Sequence, residues 1–148
     1  MPSLRRLCAT SLGLLLAGCG DKPSPLVAGG PHQGVMIQLP NSKGYAELVF
    51  EPLPKAKVGR MAPIEPALYF LGPDRVTPLS PLPTQVALEL LDPESRRKVA
   101  RPLASSPRAD DPVGASRFAT GPIDQDYSQF PVTGDLTAEI GGPVKVAF

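Results

Sequence analysis

The chain has 148 residues, with 15 Lys+Arg against 14 Asp+Glu and one histidine, so it carries almost no net charge. That excludes the basic field needed to gather nucleic acid phosphates and the acidic block needed to draw in cations at long range. Twenty prolines, 14 glycines and no tryptophan describe a turn-rich chain with apolar content for one modest core.

Residues 1–18 read as an export signal: Arg5 and Arg6 supply positive charge, residues 7–16 are apolar apart from Thr10, Ser11 and Gly13, and small residues follow. The apolar run falls far short of the roughly 20 residues a spanning helix needs. Around the arginine pair, Ser3-Leu4 and Leu7-Cys8 fit a twin-arginine signal poorly. Leu16-Ala17-Gly18-Cys19 resembles the lipobox of bacterial lipoproteins at all four positions. In that family the cysteine thiol receives a diacylglyceryl group and becomes the mature N-terminus, which implies attachment to the membrane through lipid on Cys19. Cys8 lies within the segment to be removed, so the mature chain keeps one cysteine and no partner for an internal disulfide.

Residues 19–33 form the expected tether, with three prolines, three glycines after Cys19 and no periodic apolar pattern. From residue 34 the pattern turns to alternation. Val35, Ile37 and Leu39 point one way, and a turn follows at Asn41-Ser42-Lys43-Gly44. In residues 45–51, Ala46, Leu48 and Phe50 share one face while Tyr45, Glu47, Val49 and Glu51 share the other. Residues 55–66 read as a charged loop, and 67–71 as a central strand apolar on both faces.

Gly72-Pro73-Asp74-Arg75 signals a turn. Pro78, Pro81 and Pro83 then suit an extended crossover along a sheet edge. Residues 84–91 hold good helix formers, yet Val86, Leu88 and Leu90 alternate with Gln85, Ala87 and Glu89 and favour a strand. An edge strand over 98–103 precedes a polar loop over 104–114. A short strand over 116–120 leads to an irregular stretch from which Ile123, Tyr127 and Phe130 can fill the core. Leu136, Ala138 and Ile140, then Gly141-Gly142, then Val144, Val146 and Phe148 spell a β-hairpin, because both glycines can take the positive φ such a turn requires. The whole predicts an all-β domain over residues 34–148, a single antiparallel Greek-key sandwich, immunoglobulin-like in the broad sense, that folds without its tether.

The inventory for chemistry is thin. The chain has no Gly-x-Ser-x-Gly, no phosphate-binding glycine loop and no His-Glu-x-x-His, so no enzyme and no cofactor is expected. Asp110, Asp111, Asp124 and Asp126 read as solvated turn carboxylates. His32, Met36 and Met61 are the weak candidates for a soft metal ion. The duller reading makes His32 an exposed tether residue and the methionines gap fillers.

Gly29-Gly30-Pro31-His32-Gln33-Gly34-Val35, with Leu39-Pro40, Gly44-Tyr45-Ala46-Glu47-Leu48-Val49 and Leu68-Tyr69-Phe70-Leu71, resembles small uncharacterised envelope proteins of bacteria, including planctomycetes. Those carry a His-Gly-Gly opening followed by Gly-aromatic-x-Glu and Tyr-x-Leu strands, and are sometimes associated with metal-efflux systems. Gln33 stands where that opening has its first glycine. The resemblance implies a sandwich and, for function, a metal-handling accessory. The residues themselves point first to a lipid-anchored, non-catalytic protein of the cell envelope that binds an unknown envelope protein. A periplasmic metal-binding or metal-efflux accessory is the alternative. The loops at 55–66 and 104–114 are the expected contact surfaces.

Overall fold

The computed structural model describes residues 27–53, 63–111, 116–125, 127 and 131–148. They form two antiparallel sheets packed face to face on one core. In chain order the strands are β1 (Val27–Ala28), β2 (Val35–Gln38), β3 (Tyr45–Pro52), β4 (Ile64–Leu71), β5 (Thr84–Leu91), β6 (Lys98–Pro102), β7 (Ala104–Ser105), β8 (Arg117–Ala119), β9 (Gly134–Glu139) and β10 (Pro143–Ala147). The larger sheet runs β1-β2-β3-β4-β8-β7 and the smaller β10-β9-β5-β6.

The alternation in the sequence decides which residues meet between the sheets. Ile37, Ala46, Leu48, Leu68, Phe70 and Phe118 from the larger sheet face Val86, Leu88, Leu90, Leu136, Ala138, Val144 and Val146 from the smaller. Phe70 and Phe118 pack edge to face. Residues 84–91 form a strand because period two places Val86, Leu88 and Leu90 in that core, which outweighs their helix propensity. Ile123 and Tyr127 fill the core from the irregular stretch, with the Tyr127 ring stacked on Phe50; Phe130 lies outside the described residues. Gly141 and Gly142 both hold positive φ at the β9–β10 turn.

Three boundaries differ from expectation. The fold begins before residue 34: Val27 and Ala28 pair with Met36 and Val35, so the end of the expected tether belongs to the sheet. The stretch lacked an apolar period because two paired residues are too few to show one. Ile64, Glu65 and Pro66 extend β4 out of the expected 55–66 loop, paired with Pro52, Glu51 and Phe50; residues 54–62 lie outside the described residues. Ala104 and Ser105 form an edge strand on β8 where a loop was expected.

Candidate functional site

The outward face of the larger sheet holds the polar residues that strand parity sends away from the core. Register lines up Glu47 on β3 with Tyr69 on β4 and Arg117 on β8, and two rows along, past Val49 and Ala67, sets Glu51 opposite Glu65. Outward here does not mean exposed. Glu47 is 0% and Arg117 2% exposed, and Tyr69 and Glu51 are buried with them.

Glu47 is covered by the turn at residues 30–34. Its Oε1 accepts the backbone N–H groups of His32 (2.9 Å) and Gly34 (2.8 Å), and Oε2 lies 2.9 Å from His32 Nδ1. A carboxylate only accepts, so Nδ1 is assigned as the protonated ring nitrogen. The imidazole lies flat on the Tyr69 ring, centroids 3.7 Å apart and planes 13° from parallel. Such close wrapping depends on glycine: a Cβ at Gly30 would sit 2.3 Å from Glu47 Cδ, and one at Gly34 2.4 Å from the Leu48 carbonyl oxygen. Gln33 closes the turn by donating its N–H to the Gly30 carbonyl, at φ 62°. Glutamine there is in the left-handed region, a conformation that glycine takes without strain.

From Tyr69 the contacts continue along the sheet. The Tyr69 hydroxyl donates to Glu51 Oε1 at 2.8 Å. Burial first, and then that bond to Glu51, push its pKa up to about 12. Arg117 donates from one terminal nitrogen to Glu51 Oε2 (2.6 Å) and Glu65 Oε2 (2.7 Å), and from the other to the Ser106 carbonyl (2.7 Å) and hydroxyl (3.0 Å). Arg108 adds a further bond to Glu51 Oε2. Burial alone would raise the Glu51 pKa, but the bonds from Arg117 and Tyr69 and the charges of Arg117 and Arg108 outweigh it and hold the carboxyl below its ordinary value. Burial likewise works against the Arg117 charge, and its bonds to Glu51 and Glu65 more than offset that, raising its pKa.

His32, Glu47 and Tyr69, far apart in the chain, therefore converge in space. His32, Glu47 and Tyr69 are in mutual contact, with His32 half-buried at 31% side-chain exposure and not a free tether residue. Met36, the register partner of Glu47, is buried, and Met61 lies outside the described residues, as does Cys19. Among the described residues no three His, Cys, Asp or Glu side chains gather as a metal-holding group. Asp111 accepts the Arg108 N–H at 2.6 Å, so it braces the loop that carries Arg108. Beside His32 and Tyr69 a cavity of about 30 Å³, walled by Phe70, Leu71, Val76, Pro78 and Ser116, has room for water and little more. Parity set Glu47 and Glu51 on the face away from Ala46, Leu48 and Phe50; that Tyr69 joins them depends on the β3–β4 register, and that Arg117, more than 60 residues along, meets Glu51 depends on β8 pairing with β4.

No protein-family model, no curated protein and no solved structure matches the chain. Fold and site together define a β-sandwich whose larger sheet carries, on its outward face, a row of buried polar and charged side chains bonded to one another and to the covering turn.

Proposed function

We propose that the chain is a lipid-anchored protein of the bacterial cell envelope that acts by binding an envelope partner and not by catalysis. The observation that carries the reading is the succession of the Leu16-Ala17-Gly18-Cys19 lipobox and, eight residues after Cys19, a strand of the folded sheet at Val27. Eight residues reach at most about 26–29 Å, so the partner is a membrane component or something close to the bilayer. Among the described residues no helix is long and apolar enough to cross a membrane; in this reading the acyl chains hold the protein. Each buried methylene contributes about 0.8 kcal/mol, and two or more chains anchor stably.

The part of the cluster around Glu51 fits a structural role. Glu51 is held below its ordinary pKa, Arg117 above its own, and Tyr69 is raised to about 12, so these three side chains are committed to one another as a fastening for the sheet. Replacing Cys19→Ala should release the protein from the membrane fraction or leave it unprocessed; a variant that stays processed and membrane-bound overturns the anchor.

Metal handling is the second reading, favoured by one contact. His32 Nδ1 held by a buried carboxylate is the arrangement that orients an imidazole for a metal at its other nitrogen. Metal uptake at one equivalent by the wild-type protein, abolished in His32→Ala, would put this reading first.

A further inference from the structure

We infer that the end of the sandwich where the tether joins is a membrane-contacting surface, seated on phospholipid through Val76 and Leu82. The inference rests on the lipid-anchor reading and adds the orientation of the domain on the bilayer.

Strand direction places the tether. Backing along β1 from Ala28 to Val27 moves from the level of Val35 to that of Met36, towards Gln38. Gln38 pairs with Tyr45, and Tyr45 with Leu71. The chain thus enters the sheet from the end where β2 stops, β3 starts and β4 stops. Sheet two shares that end, since Lys43 donates to the Ile140 carbonyl at the β9–β10 turn and Thr84, the first residue of β5, lies opposite Glu139. The entire crossover from Gly72 to Pro83 is therefore built on the tether end.

Both exposed large apolar side chains among the described residues lie in that crossover: Val76, 70% exposed, and Leu82, 50% exposed. Single exposed apolar residues are ordinary on a protein surface. Two on one short segment, at the end that an acylated residue can reach from no more than about 26–29 Å, describe a contact with the bilayer. The opposite end is farther by the length of an eight-residue strand, about 26 Å.

The turn that presents Val76 is fixed. Gly72 N–H donates to the Thr77 carbonyl at 2.7 Å, Arg75 N–H to the Gly72 carbonyl at 3.0 Å, and Asp74 Oδ1 accepts the N–H groups of Val76 and Thr77. Asp74 spends its other oxygen on the Thr77 hydroxyl. Next to Val76, the Arg75 guanidinium sits 4.7 Å from the Tyr45 ring centroid and donates to its hydroxyl at 3.2 Å. A cation, an aromatic ring with a polar tip and two apolar side chains match the layered chemistry of a phospholipid surface, phosphate above acyl chain.

The absence of tryptophan from the whole chain gives a clean probe. The mature lipidated protein, beginning at Cys19 and carrying Val76→Trp, Leu82→Trp or the far-end control Glu94→Trp, is reconstituted into phosphatidylethanolamine–phosphatidylglycerol vesicles and checked for flotation. Emission from positions 76 and 82 should shift to the blue and lose intensity to bromine-labelled acyl chains, while position 94 keeps the emission of water-exposed tryptophan. If the protein floats and positions 76 and 82 stay water-exposed, the contact surface is overturned and the anchor stands. A blue shift without bromine quenching puts protein, not lipid, over the patch and also overturns it. Failure of the lipidated chain to float removes the anchor and this surface together.

Discussion

On β3, β4 and β8 the residues pointing away from the core include Glu47, Glu51, Tyr69 and Arg117, and all four are buried; on β5, β6 and β10 the residues at the same parity include Gln85, Lys98 and Lys145, and all three are exposed, with Asp135 on β9, paired with Lys98, the buried charge of that face. Both sheets follow the same alternation, so a polar residue at an outward position tells the face and not the solvent. The energetic consequence follows from dehydration. A buried charge that loses its partner has no water to turn to, whereas an exposed one does.

The sharpest break in that contrast is Arg117→Met. It leaves Glu51 and Glu65 facing each other without their shared cation, and should cost about 3–5 kcal/mol in urea denaturation. Glu47→Ala comes next: the N–H groups of His32 and Gly34 and the imidazole lose their acceptor, for a loss of about 1–3 kcal/mol, with His32 freed from Tyr69 in the same variant. Lys145→Gln, on the exposed sheet, should change stability by no more than about 0.5 kcal/mol. If Lys145→Gln cost as much as Glu47→Ala, the two faces would not differ as described.

Acid and alkali sharpen the comparison further. The Glu51 carboxyl is held below its ordinary 4.5, so its contribution is present above that pH and is lost as pH falls through the lower folded value. Tyr69 has its pKa raised from 10.0 to about 12, so its contribution is complete below pH 10 and is lost as pH climbs through about 12. Melting temperature followed across pH should therefore fall at both extremes, and Tyr69→Phe should remove the alkaline fall attributable to this group.

Most of the fold was legible because each strand carries its own period. The run at 45–51, the run at 84–91 and the Gly141-Gly142 hairpin could each be read locally. The cluster was less legible because its geometry is a matter of register between distant strands. Nothing near Arg117 in the chain announces Glu51, which lies 66 residues away. His32 was hidden for a different reason. Its segment is short, irregular and rich in glycine and proline, the composition of a spacer, and here the same composition lets backbone close over a carboxylate. The paired glycines at 30 and 34 around a lone histidine were the available signal.

The opposition of Glu51 and Glu65 ties the β3–β4 pair to a strand far along the chain. These two carboxylates are register partners at one end of that pair, and like charges set across from each other repel. Arg117 on β8 bonds to both acids and offsets that repulsion. A pairing between strands adjacent in sequence is thereby stabilised by a side chain that only the completed larger sheet supplies.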